Sequence, residues 1–169
     1  ELRAAAKTRG LQTAVVIFEP HPREFFTPPQ QGEFFTAQQA PARLTSLREK
    51  LELFAALDID HVHVCRFNAR FAQMSAADFI HALYEKLSAK FVLIGDDFRF
   101  GSGRIGDFAL MEKIGSQRGF AVQSVHSVLH DGVRISSTAI RAALAAGQMR
   151  TAQHYLGRPY SISGRVVHG

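Results

Sequence analysis

The stretch "RISSTAIR" (134–141) sets two guanidinium groups and three hydroxyls around what reads as the start of a helix. Ser136 or Ser137 before an apolar-periodic run is an ordinary N-cap. The same helix start also offers unpaired backbone N–H groups and the positive end of the helix dipole, and both favour an anion. Arg141 follows Ser137 by four residues and shares its helix face. Hydroxyls, N–H groups and two arginines suit a polyphosphate held by charge-assisted hydrogen bonds. That reading is preferred here to a cap alone.

Other stretches carry chemistry less sharply. In "GDDFRFG" (95–101), Asp96 and Asp97 follow an apolar run, where acids could hold Mg²⁺ or accept from a ribose or ring. Phe98 and Phe100 alternate around Arg99, so an aromatic face could meet a planar ligand. Composition alone favours two core rings and two solvated acids. In "IFEPHPREF" (17–25), Pro20 and Pro22 fix the backbone around His21 just past a strand, with Glu19 beside it. A rigid turn with a satisfied His is an equally good account. "GSGRIG" (101–106) matches G-x-G-x-x-G, but "DDFRF" separates it from the strand. Residue 126, where a dinucleotide fingerprint wants an acid, is His. A flexible glycine loop is preferred to an NAD site, and a loop covering a bound ligand is a third reading. His61 and His63 share a strand face without further ligands at zinc spacing. Cys65 has no paired His to make it a nucleophile.

These residues need elements to hold them. "TAVVIF" and "KFVLIG" are continuous apolar runs and read as buried parallel strands; "HVHVC" and "FAVQSV" read as two more. Helices are expected over "LRAAAKTR" with Gly10 as its C-cap, over "TSLREKLELFAAL" with Ser46 and Glu49 at capping-box spacing, over "SAADFIHALYEKL" capped by Ser75, over "DFALMEKIGSQRG", over the "SSTAIR" run and over "MRTAQHYL". "EPHPREFFTPPQQGEFF" holds four prolines and reads as a long irregular loop. Asp131-Gly132 marks a short hairpin or tight turn. Alternating strands and helices imply an α/β layer fold with a mostly parallel sheet, whose ligands bind beyond the carboxyl ends of the strands.

The chain has 169 residues, 46% of them hydrophobic, enough for one ordinary domain. A net charge of +5 favours an anionic partner. The basic residues are scattered, with no run of five, so no nucleic-acid stripe is expected. No apolar run approaches the ~18 residues of a membrane span. The single Cys allows no internal disulfide and suits a reducing cytoplasm.

Four segments, "VIFEPHPREFF", "ARLTSLREKLELF", "VLIGDDFRFGSGRIGDF" and "RISSTAIRAALAAGQMRTAQHYLGRPYSISGRVVHG", lie in order over nearly the whole chain. Together they resemble the bacterial bifunctional riboflavin kinase/FMN adenylyltransferases, the prokaryotic FAD synthetases; "ISSTAIR" resembles the second signature of the nucleotidyltransferase superfamily. The resemblance implies a Rossmann-like nucleotidyltransferase domain over 1–158 and the start of a β-barrel kinase domain at 159–169. It implies transfer of AMP from ATP to FMN with Mg²⁺, giving FAD and pyrophosphate, and riboflavin phosphorylation by the full-length protein. Arg134, Ser137 and Thr138 would hold the ATP phosphates with help from Arg141, and Asp97 would lie near the reacting groups. Glu19 and His21 would sit beside the ATP, Glu19 also near the metal, whose ligands stay unassigned. Phe25 would border the flavin and Phe100 would stack on its ring, with Gly101 and Gly103 closing over it. Such chemistry needs in-line placement and charge neutralisation rather than a covalent residue.

The family opens with a strand and a Gly-Asn/Thr-Phe-Asp-Gly-Val-His-x-Gly-His motif, and its kinase domain carries Pro-Thr-Ala-Asn. Neither motif is in this sequence, which opens at Glu1 inside a helical pattern. The natural amino terminus is therefore expected upstream, and residues 1–169 alone are expected to make no FAD. The alternatives left open are an NAD-dependent oxidoreductase built on Gly101–Gly106 and a flavin- or nucleotide-binding module without catalysis.

Overall fold

The computed structural model describes residues 1–26, 40–125, 127–130 and 132–166. Helix α1 (Leu2–Arg9) ends at Gly10, which takes the left-handed conformation (φ 62°, ψ 33°) that glycine adopts without a Cβ clash. Strand β1 (Ala14–Glu19) runs parallel to β2 (His61–Arg66), from Ala14 opposite His61 to Glu19 opposite Arg66. Buried Thr13 fastens their entry: its N–H and its hydroxyl both donate to Asp60 Oδ2 at 2.7 Å, and its Oγ1 accepts from the Asp60 N–H at 2.9 Å.

The crossover from β1 to β2 carries α2 (Pro22–Phe26) and α3 (Leu47–Ala56). The second corrects nothing: Ser46 and Glu49 form the expected capping box. The first does correct the expectation of an irregular loop over residues 22–26. Proline breaks a helix in its interior but suits its first position, where its missing N–H would be unpaired anyway. Pro22 stands there, and Glu24 closes back on His21. Residues 27–39 of that stretch, like His126, Asp131 and 167–169, lie outside the described residues.

After β2 come α4 (Ala69–Ala72) and α5 (Ala76–Leu87), the latter capped by Ser75. Strand β3 (Phe91–Gly95) pairs in parallel with β4 (Ala121–Val125), with α6 (Phe108–Arg118) between them. A short antiparallel hairpin, β5 (Leu129–His130) and β6 (Val133–Arg134), leads into α7 (Ser137–Ala145) and α8 (Met149–Leu156).

The α/β architecture with parallel pairing is as expected, but the sheet is divided. Among the described residues no ladder joins β1–β2 to β3–β4. The strands are half-buried rather than buried, and among the described residues each has one hydrogen-bonded neighbour. One core nevertheless serves both pairs. Phe79, Ile80, Phe100, Met111 and Phe120 are buried together with Ala76, and Phe18 of β1, Val92 and Ile94 of β3 and Val122 of β4 all pack against them. The carboxyl ends of β1 and β3 are thus held on a common base.

Candidate functional site

The helix start of α7 is built by a division of labour among adjacent hydroxyls. Ser136 is the N-cap: its backbone is extended (φ −150°, ψ 159°), and its Oγ accepts from the Ala139 N–H at 3.1 Å. Ser137 and Thr138 therefore occupy the first two helical positions, where both are exposed and their N–H groups have no carbonyl one turn back. Strand β6 delivers Arg134 three residues before Ser137. Its Nη2 meets Asp97 Oδ2 at 2.8 Å, which brings the turn after β3 to the start of α7 across 37 positions of sequence. Both side chains are more than half exposed (53% and 67%), so the pair contributes only about 0–1 kcal/mol.

A second group gathers at the end of β1. Glu19 is its last residue, and the chain then turns through His21 into α2. The His21 N–H donates to Glu24 Oε2 at 3.1 Å, while the Arg23 N–H donates to His21 Nδ1 at 3.2 Å. A ring nitrogen that accepts carries no proton, so the neutral ring bears its hydrogen on Nε2. Burial above all lowers the His21 pKa; nearby Glu24 opposes this, and Arg23, Lys50 and Arg141 add to it. Arg43 closes the group. Its Nη2 meets Glu19 Oε1 at 2.5 Å, its Nε meets Glu24 Oε1 at 2.6 Å, and Nη2 also contacts Glu24 Oε2. The Arg43 hydrogen bond holds the Glu24 carboxyl below its usual range. Arg141 Nε donates to the Ala42 carbonyl at 2.6 Å, so α7 touches this group too. Asp97, Arg134, Ser137, Thr138, Arg141, Glu19 and His21 are in this way brought to one end of the fold, beyond the carboxyl ends of β1 and β3.

The aromatic candidates lie differently. Phe25 packs on Phe26 and Phe67 (5.3 and 5.4 Å between centroids), and ring contacts continue through Phe18, Phe71 and Phe79 to Phe100 and Phe98. Phe100 is only 6% exposed and belongs to the core; the half-buried Phe98 stacks on it at 5.6 Å. The glycine stretch is packed rather than loose, against the expectation of a flexible loop. A Cβ on Gly101 (φ 73°) would fall 2.5 Å from the Ala76 nitrogen, and the Ser102 N–H donates to the Met74 carbonyl at 2.7 Å. Phe100 and Gly106 form an antiparallel bridge. Gly103 is the freer of the two candidate glycines, its nearest contact for a Cβ being Ile105 at 3.7 Å. The dinucleotide reading loses its support here. Asp107, at the cap of α6, accepts from the Leu110 N–H at 2.9 Å and so sets a carboxylate where a pyrophosphate would have to lie.

The sequence reading missed Arg43 and Glu24. Glu24 had a local signal, three residues after His21 as in a capping box. Arg43 had none, since its partners lie 19 and 24 positions away. No group of three or more His, Cys, Asp or Glu side chains that could hold a metal ion occurs among the described residues.

The α/β fold thus collects hydroxyls, arginines and a helix start at its strand ends, where folds of this class bind their ligands. The family model for FAD synthetase matches residues 1–139, and the chain belongs to that family. It is 47% identical over 169 residues to the bifunctional riboflavin kinase/FMN adenylyltransferase of Escherichia coli (strain K12), covering 99% of this chain and 51% of the relative. The proteins of the same description from Haemophilus influenzae and Pseudomonas fluorescens are 43% and 42% identical, again over 99% of this chain and 52% and 51% of theirs. The chain thus spans about half the length of the curated relatives it matches. In fold it is similar to a crystal structure described as a macrolide-efflux protein from Streptococcus pneumoniae, with a TM-score of 0.76 at 23% identity over 99% of this chain and 52% of that one.

Proposed function

We propose that these residues form the AMP-transferring part of an FAD-making enzyme. An FMN phosphate oxygen attacks the α-phosphorus of ATP, the bond from that phosphorus to the β-phosphate bridge oxygen breaks, and pyrophosphate leaves with FAD as product. The observation that carries this reading is the joining of Asp97, Arg134 and the start of α7 at the carboxyl end of β3. Ser137, Thr138 and Arg134 bind the ATP phosphates, Arg141 assists them, and Glu19 and His21 stand beside the triphosphate. His21 is suited to donate from Nε2 as a neutral ring. The flavin lies against the Phe98/Phe100 pair and Gly103, with Gly101 holding the loop and Phe25 at the border.

Mg²⁺ fits this donor set without a protein cage. The ion would be held through one or two carboxylates and substrate phosphates, with exposed Asp97 and partly exposed Glu19 as the carboxylates at the strand ends. It would supply charge neutralisation at the phosphates. Residues 159–169 begin a second, riboflavin-phosphorylating domain in the full-length protein. Among the described residues no helix is long and apolar enough to cross a membrane; the proposed place of action is the cytoplasm, on ATP and FMN and without nucleic acid.

The test is FAD formation by the full-length protein from FMN, ATP and Mg²⁺, followed chromatographically, with an Arg134→Ala variant alongside. The proposal requires FAD from the unmutated protein and a loss of at least ~100-fold in the variant, the scale of removing one donor from a charge-stabilising site. Binding of ATP and FMN with no FAD would favour a non-catalytic module instead.

A further inference from the structure

We infer that Arg43, to which no role has been given, is a positioning residue for the phosphate site: it fastens the His21 turn and the backbone on which Arg141 rests. The inference rests on the proposed use of Arg141 toward ATP phosphates.

Three segments meet at this one guanidinium. Glu19 ends β1, Glu24 lies in the first turn of α2, and Arg43 itself stands on the approach to α3. Arg43 contacts both carboxylates, and Glu24 twice, through Nε and Nη2. That planar fork is what an arginine offers and a lysine does not. Glu24, so held, also receives the His21 N–H, which sets the turn that points the imidazole.

The second half of the argument is the peptide next door. The Ala42 carbonyl accepts from Arg141 Nε at 2.6 Å. One of the five guanidinium N–H groups is thereby engaged, which restrains the group and leaves its two terminal nitrogens to offer a phosphate. The position of that carbonyl depends on where Arg43 is anchored. Without Arg43, Glu19 and Glu24 would also stand as two uncompensated carboxylates beside an incoming triphosphate. Arg43 therefore acts both on the direction of Arg141 and on the local charge, and it touches no substrate.

The experiment is a double-mutant cycle of ATP and adenosine affinity, by calorimetry on the full-length protein. It uses Arg43→Ala, Arg43→Lys, Arg141→Ala and the two combinations with Arg141→Ala, with melting curves for each. Residues that act as a unit give non-additive losses. Arg43→Ala should weaken ATP about tenfold or more, on the scale of such coupling, and leave adenosine within about twofold. Arg43→Lys should recover part of the loss, because it restores charge but not the fork. On the Arg141→Ala background, either Arg43 variant should cost only about threefold more. Equal losses for ATP and adenosine, or losses that multiply in the double variants, would overturn the inference. If Arg43→Ala does not fold, the Arg43→Lys arm decides by the same criteria. Unmutated protein that binds ATP and forms no FAD refutes the reaction while the cycle still judges Arg43; absence of ATP binding refutes both.

Discussion

Ser136, Ser137 and Thr138 are adjacent and chemically alike, and the fold assigns them different work, which a set of three alanine substitutions can separate. Only Ser136 caps α7, through the 3.1 Å bond from the Ala139 N–H to its hydroxyl. Ser136→Ala leaves that N–H without its acceptor and should cost about 1 kcal/mol of stability. In a protein of this size that is a melting shift of about 2–4 °C. Ser137 and Thr138 are exposed at the first two helical positions and cap nothing. Their alanine variants should melt within about 1 °C of the unmutated protein, as surface changes away from special features do. Under the proposed function their hydroxyls bind ATP phosphates, and a hydrogen bond to a charged group contributes about 1.5–3 kcal/mol. Thr138→Ala should therefore lose about 10- to 150-fold in ATP affinity and little in adenosine affinity, whereas Ser136→Ala should lower both ligands only as far as it loosens the helix start. Melting curves with parallel ATP and adenosine titrations read both quantities. If Thr138→Ala melts as low as Ser136→Ala, or loses ATP and adenosine equally, the phosphate role of this helix start is wrong.

Phe100→Ala should destabilise the fold by about 3–5 kcal/mol, as expected for a 6% exposed core ring. Phe98→Ala, at the half-buried neighbour, should cost less stability and weaken FMN by about 1–3 kcal/mol; unchanged FMN affinity in a folded Phe98 variant would remove this pair from the flavin site. Acid should also destabilise the protein, and Glu49 should contribute to that loss. Its carboxyl accepts from the N–H groups of Ser46 and Ser163, which pull its pKa from 4.5 to about 2. The unfolded chain then binds the proton more readily, so this contribution is complete above pH 4.5 and lost as pH falls toward 2. A Glu49→Gln variant should show a shallower fall in melting temperature across that window, and an unchanged slope would contradict the assignment.

How far the fold could be read from the chain depended on how local each signal was. Ser46 with Glu49, Ser75 with Asp78 and Gly10 after α1 are contacts within one helical turn, and each stands where its spacing placed it. Helix α4 escaped because four residues carry no period; its mark was Asn68, whose side chain accepts from the Phe71 N–H. Helix α2 escaped because a proline-rich stretch reads as irregular, whereas Pro22 stands at the first helical position, where proline is tolerated. The alternation of Phe98 and Phe100 around Arg99 put both rings on one face but could not say whether that face was core or met a ligand, since that depends on Phe79 and Met111 from other elements. The candidate site was legible at its helix start and at the ends of its strands. What tied those parts together was not, because Arg134–Asp97 and Arg141–Ala42 span 37 and 99 positions.

The three arginines at the strand ends differ in how they are held, and that difference sorts their roles under the proposed function. Arg134 has a single contact with one carboxylate, and both partners are largely exposed. A pair of that kind is weak enough for a triphosphate to displace. The exchange would move the cation onto the phosphates and release Asp97 for the metal or the reacting groups, so one event serves two ends. Arg43 is the opposite case. It is bound to two carboxylates, one of them through two nitrogens, and its partners are only 25–26% exposed. An incoming phosphate would have to displace two acids at once, so Arg43 stays in place while Arg134 changes partner. Arg141 lies between these extremes, fixed by a neutral carbonyl at one nitrogen and so oriented without being neutralised.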